Sequence, residues 1–314
     1  MTEQRLKFER RYFDPAGAVN RDGGGNMTRP LYLYSDEIVL AVNLARATGR
    51  PLFVTGSPGT GKSTLAKSIA SILGWRYIEQ VVTSRTRARD LLWQFDAVRR
   101  LSDAQISNKE LPPRSDYVSP KAIWLAADPD TARLYPTPKG SKAELTPREC
   151  VVLIDEIDKA EPDVPNDLLE VLEMAQFTVD DLDEQPVIHG DRGKMLIVIT
   201  SNGERDMPTA FLRRCVVLSL PDPGEDWLVQ VASKHFGNDE NKLHREVAKL
   251  TLVVAQSPAS VSTGRRPGTA EYLDAVRACK SLGVQANSDD VAWQHLESIV
   301  LSKAPFKNGK RDSA

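Results

Sequence analysis

Residues 52–64 read Leu52-Phe-Val-Thr-Gly-Ser-Pro-Gly-Thr-Gly-Lys-Ser-Thr64. An apolar run ends in a glycine-rich turn, and Thr64-Leu-Ala-Lys-Ser-Ile-Ala70 continues at helical spacing. The order is strand, loop, helix, with G-x-x-x-x-G-K-S in the turn. Gly56, Gly59 and Gly61 let backbone come close to a phosphate chain where side chains would collide. The intervening Ser57, Pro58 and Thr60 complete a loop whose amides, with the helix N-terminus opening at Lys62, Ser63 and Thr64, point partial positive charge at an anion. Lys62 can reach the β- and γ-phosphates of such a chain, and the Ser63 hydroxyl can face Mg²⁺.

A second anchor lies at Cys150-Val-Val-Leu-Ile-Asp-Glu-Ile-Asp-Lys159. Its apolar run reads as a buried parallel strand with two carboxylates at its C-terminal end. An acid there holds Mg²⁺ in phosphoryl-transfer proteins, which suits Asp155. Its neighbour Glu156 can orient and deprotonate an attacking water. Asp158 reads as the cap of a following helix, with a third catalytic carboxylate as the alternative. Lys194 to Ser201 is a further buried strand, and Asn202 at its end can hydrogen-bond the water or the γ-phosphate. Arg213 and Arg214 close a short helix before another apolar strand. They serve either as C-terminal charges on that helix or as an arginine finger acting on a neighbouring subunit's nucleotide.

A chain of 314 residues suggests a large domain and a smaller one. The expected layout is a flexible arm over 1–30, an α/β nucleotide-binding core over 31–221, an all-α lid over 222–302 and a flexible tail over 303–314. Pro221-Asp-Pro-Gly224 marks the domain break. Within the core the spacing predicts helices over Tyr34–Ala47, Thr86–Ser102 and Asn166–Ala175, and a small hairpin at 177–179 and 187–189. Residues 32–38 are a candidate border for the adenine. Residues 128–147 read as a long proline-bearing loop, and His189 as a surface residue. In the lid, Arg265 and Arg266 open a helix and are either nucleotide contacts or exposed charge.

A hydrophobic content of 41% with 27% charge fits a soluble globular chain. A net charge of −2 argues against nucleic acid or membrane as the bulk partner. Cys150, Cys215 and Cys279 form neither a zinc pattern nor a disulfide framework, which points to a reducing cytoplasm, with Cys150 and Cys215 buried.

Taken together these motifs resemble an AAA+ ATPase, and within that class a MoxR-like protein, over residues 30–302. Gly56 to Ser63 matches the Walker A motif and Val151 to Asp158 the Walker B motif. Asn202 matches sensor 1, and Ala210-Phe-Leu-Arg-Arg-Cys215 the arginine-finger segment, where Arg214 aligns better than Arg213. Arg266-Pro-Gly-Thr-Ala-Glu-Tyr-Leu-Asp274 resembles the lid helix that carries sensor 2. The family's arginine position is here Gly268, so Arg265 or Arg266 would have to substitute. Ala88-Arg-Asp-Leu-Leu-Trp-Gln-Phe-Asp-Ala-Val-Arg-Arg-Leu101 is similar to a bacterial subgroup of these proteins. The resemblance implies an ATP- and Mg²⁺-dependent P-loop fold in a homo-oligomeric ring, commonly a hexamer, that remodels a protein partner. A von Willebrand factor A domain protein is the partner it suggests, and some of the subgroup act in bacterial conflict or defence. A slow nucleotide-dependent switch is the competing reading. A DNA-linked motor lacks a recognisable DNA module here. A small-molecule P-loop kinase does not account for Asp155-Glu156, Asn202 and the all-α lid.

Overall fold

In the computed structural model, residues 8–16, 31–106, 111–136, 146–237, 241–258, 260, 266–284, 286 and 291–296 are described. The chain divides into two units: Met1–Thr55 with Lys62–Ser219, and Gly56–Gly61 with Leu220–Ala314. The glycine loop therefore groups with the C-terminal helices, although its neighbours on both sides belong to the first unit.

The first unit is built on five parallel strands: β1 (Leu52–Thr55), β2 (Arg76–Val81), β5 (Cys150–Asp155), β8 (Met195–Ser201) and β9 (Val216–Ser219). Their order is β2-β5-β8-β1-β9. β1 thus lies between the last two strands, with Leu52 in register with Val198 and Val216. In such sheets ligands bind beyond the strands' carboxyl ends, where the strand order reverses. Here that place is the end of β1, where the glycine loop begins. β5 is buried along its first five residues, as its unbroken apolar run requires.

Helix α1 (Asp36–Thr48) starts at Ser35, whose hydroxyl accepts from the Ile38 amide, and stops at Gly49 in the left-handed region. Helix α2 (Lys62–Leu73) follows the loop and buries Leu65, Ala66, Ile69 and Ala70. Two short antiparallel pairs sit outside the main sheet: β3 (Trp93–Phe95) with β4 (Val118–Pro120), and β6 (Gln176–Thr178) with β7 (Val187–His189). The second pair is the expected hairpin, and His189 is exposed on it. The remaining helices of this unit are α3 (Ala97–Ile106), α4 (Ala122–Ala127), α5 (Pro129–Ala132), α6 (Val164–Asp167), α7 (Leu169–Met174) and α8 (Thr209–Leu212).

Three local expectations need correction. Thr86–Ser102 is not one helix. Leu91, Leu92 and Trp93 are buried at consecutive positions, which a helix face cannot provide, and the chain turns through them into β3. Helix α3 begins only at Ala97 and leaves Val98, Leu101 and Ile106 exposed. The stretch 128–147 includes α5, capped by the Asp128 carboxylate; residues 137–145 lie outside the described set.

The third concerns the N-terminal arm. Residues 8–16 are docked on α1: Asn43 accepts the Tyr12 and Phe13 amides at 2.9 and 3.1 Å and donates to the Phe13 carbonyl. Phe13 is 1% exposed, and Arg10 pairs with Asp36 at 2.7 Å. The rest of the arm and the tail 303–314 lie outside the described residues.

The second unit has its own core. Helices α9 (Glu225–Phe236), α10 (Asn241–Gln256) and α11 (Thr269–Leu282) pack Leu228, Ala232, Val247, Ala248, Tyr272 and Val276 together, and α12 (Val291–Leu296) follows. No helix among the described residues is long and apolar enough to cross a membrane.

Candidate nucleotide site

In the first unit the ends of β5, β8 and α2 bring the candidate residues together. Ser63, in the first turn of α2, donates to both Asp155 oxygens at 2.9 Å. Lys62 is buried, 6% exposed. Burial pulls its ammonium below the ordinary lysine range, and Asp155, Asp158 and Glu156 oppose that shift through their charge.

Glu156 stands in a left-handed backbone conformation, φ 63° and ψ 49°. A non-glycine residue there stores roughly 1–2 kcal/mol of strain, and such outliers cluster at functional positions. The neighbouring strand holds it there: the Glu156 amide donates to the Thr200 hydroxyl at 2.9 Å, which itself donates to Asp155 Oδ1. The Glu156 carboxylate has two partners. Asn202 Nδ2 donates to Oε1 at 3.0 Å, and Lys159 Nζ donates to Oε2 at 2.6 Å. The hydrogen bond to Glu156 raises the Lys159 ammonium pKa.

The two strand ends found by motif, Asp155-Glu156 and Asn202, thus meet. Thr200 went unnoticed in the sequence, although it is fully buried and links both acids. The available signal was its position: a polar residue inside an apolar strand, in line with the end of β5.

Asp158 does not cap the segment that follows it. Its carboxylate instead accepts the backbone amides of Asn202 and Glu204, both at 3.0 Å. Arg213 is exposed, whereas Arg214 pairs with Glu173 at 2.8 Å and donates to the Ala210 carbonyl. Among the candidate adenine-bordering residues, Tyr34 donates to Ser68 on α2 at 2.7 Å and packs against Tyr32.

In the second unit Gly59 and Gly61 have φ of 79° and 91°, conformations that glycine adopts at no steric cost. The start of α11 lies against this loop, and the Thr269 amide donates to the Gly59 carbonyl at 3.0 Å. A methyl group on Gly268 would come within 2.8 Å of Gly59 Cα and 2.9 Å of the Pro58 carbonyl oxygen. At Gly268 the helix therefore offers backbone to the loop, with no room for a side chain. Arg266 is exposed, and Arg265 lies outside the described residues.

Ser63 and Asp155 supply a hydroxyl and a carboxylate, the hard oxygen donors that suit Mg²⁺. Among the described residues no group of three or more His, Cys, Asp or Glu could hold a metal unaided.

A parallel sheet flanked by helices, with a glycine loop after β1 and an acidic pair ending β5, defines a P-loop nucleotide-binding protein. The comparisons narrow the class. The family model described as AAA domain (dynein-related subfamily) matches residues 51–215, just over half the chain, and the protein belongs to that family. AAA+ domains bind nucleotide, usually with Mg²⁺, belong to a class of nucleotide hydrolases, and typically assemble into rings.

Among curated relatives, the Lon protease of Halothermothrix orenii is 30% identical over 192 residues, 59% of this chain and 20% of that protein. The peroxisomal Lon protease homolog 2 of Arabidopsis thaliana is 27% identical over 278 residues, 84% of this chain and 27% of that protein. The mitochondrial Lon protease homolog of Mus musculus is 27% identical over 275 residues, 83% and 26% respectively. The chain thus spans roughly a fifth to a quarter of the length of these relatives.

Proposed function

We propose that this chain is a MoxR-like AAA+ ATPase that binds and hydrolyses ATP at the subunit interfaces of a homo-oligomeric ring and remodels or activates a protein partner. The observation that carries the reading is the Glu156–Asn202 pair at 3.0 Å, set beside a Ser63–Asp155 oxygen site. Ser63 and Asp155 would hold a Mg²⁺ ion, which would supply charge neutralisation to the phosphates of bound ATP, and Lys62 would face those phosphates. Glu156 takes the proton of the attacking water, and Asn202 orients that carboxylate. Arg214 reaches the neighbouring subunit's nucleotide after leaving Glu173, with Arg213 beside it. A hexamer and a von Willebrand factor A domain partner complete the reading on family resemblance, and a cytoplasmic setting on the cysteine pattern.

One observation favours slow basal turnover, as in a nucleotide-dependent switch of a bacterial conflict or defence system. Both Glu156 oxygens are occupied in the isolated chain, one of them by Lys159. A partner that draws Lys159 away would free the base.

The test mixes two inactive variants. Lys62→Ala removes the phosphate-loop cation, and Arg214→Ala removes the finger, worth about 10³ or more in rate. Mixed rings contain interfaces with an intact loop and an intact finger, so ATP turnover returns on mixing. Mixed oligomers seen by native mass spectrometry without any return of activity would refute a finger at Arg214.

A further inference from the structure

Asp158 is a charged residue that the proposed chemistry leaves unused, yet it is 4% exposed. A buried carboxylate is costly unless hydrogen bonds compensate it. Here Oδ2 accepts the Asn202 and Glu204 amides, while Oδ1 is buried without a hydrogen-bond partner. Both accepted amides belong to the turn that follows β8. The same turn is tied from the other side by Arg205, whose guanidinium donates to the carbonyls of Asp158 and Ala160. Segments 156–160 and 202–205 are therefore laced into one closed circuit. It runs from Glu156 through the chain to Asp158, across to the Asn202 backbone, and back through the Asn202 side chain to the Glu156 carboxylate at 3.0 Å.

We infer that Asp158 is a positioning residue that sets the Asn202 backbone so that its side-chain amide meets Glu156. Resting on the proposed roles of Glu156 and Asn202, it adds what fixes their geometry. Asn202 follows Ser201, the last residue of β8. Without Asp158 the amides of Asn202 and Glu204 lose their acceptor, and the turn is free to carry the Asn202 side chain away from Glu156. Holding the turn needs an acceptor at Oδ2 rather than the charge itself, since Oδ1 accepts no hydrogen bond. An asparagine can present its carbonyl oxygen to the two amides and place its NH₂ at the Oδ1 position.

The experiment compares Asp158→Ala, Asp158→Asn, Asn202→Ala and the double variant Asp158→Ala/Asn202→Ala in the full chain. Amide hydrogen exchange without nucleotide reads the turn directly. Asp158→Ala should speed exchange at 202–205 by about tenfold or more, the worth of a hydrogen bond to a charged group, and leave β5 unchanged. ATP turnover should fall by about 10–100-fold, with ATP affinity within about threefold of wild type. The double variant should be no slower than Asn202→Ala alone, since a residue that acts through another adds nothing once that one is gone. Asp158→Asn should stay close to wild type in both readouts. Unchanged exchange at 202–205 in Asp158→Ala, or additive losses in the double variant, would overturn the inference. If Asp158→Ala does not fold, Asp158→Asn decides: turnover as slow as Asn202→Ala with the turn still protected overturns it, and retained turnover supports it. Absence of ATP turnover in the wild type would sink the proposed function, while the exchange measurement would still decide what Asp158 holds.

Discussion

Replacing Thr200 by valine keeps the shape and the β-branched preference of the strand but deletes a hydroxyl that serves two partners. Thr200 is fully buried, donates to Asp155 and accepts from the Glu156 amide. A hydrogen bond to a charged group contributes about 1.5–3 kcal/mol, and a desolvated amide left without an acceptor costs about 1–3 kcal/mol. The extra methyl returns up to about 0.8 kcal/mol of apolar burial. A net loss of about 2–5 kcal/mol follows. Threonine to serine at the same site keeps both hydrogen bonds and loses one methyl, for about 1 kcal/mol. Urea unfolding of the three proteins, with the denaturant slope held common, measures the difference. Turnover should fall in Thr200→Val more than in Thr200→Ser, because Glu156 would no longer be held in its left-handed conformation. If valine costs no more stability than serine, the Thr200 hydroxyl is not what joins β8 to the acids.

Gly268→Ala should weaken ATP binding by about tenfold or more, because its methyl would collide with the loop at Gly59. Thr269→Pro, which suits a first helical position, should weaken binding less by removing only the hydrogen bond to Gly59. Titration with a fluorescent ATP analogue reads both, and wild-type affinity in both would separate loop from helix. The cysteines should resist alkylation at pH 8 in the native protein and react after unfolding, since all three are buried and burial pushes Cys150 and Cys215 up to about 12. The folded state thus holds these protons more tightly than the unfolded one, so their contribution to stability is complete below about pH 9 and is lost as pH rises toward 12.

Long-range order was legible where one pattern dominated. The apolar runs before Gly56, Asp155 and Asn202 each became a buried parallel strand, because runs of four to seven residues rich in Val, Ile and Leu are too short for a buried helix and suit the interior of a parallel sheet. The two acids and Asn202 met because those runs lie side by side. Reading failed where the pattern was shared. Leu91, Leu92 and Phe95 fit helical spacing as well as a turn into a strand, and only pairing with β4 separates the two. The docking of Phe13 was hidden because its partner, Asn43, is a polar residue on a helix face that spacing alone marks as ordinary. Hydrogen bonds such as those of Asp158 and Thr200 leave little trace in spacing, since they depend on which strand lies next to which.

The position of β1 also bears on how the protein is made. Its neighbours in the sheet pair Leu52 with Val198 and Val216, both far along the chain. A nascent polypeptide that ends before β9 can pair β1 on one side only, and one that ends before β8 cannot pair it at all. The strand that launches the glycine loop must wait, solvated, while nearly the whole first unit is synthesised. Such non-local pairing is slow to form and exposes apolar segments meanwhile. Leu52, Phe53 and Val54, all buried in the finished sheet, are therefore the residues most in need of shielding during synthesis.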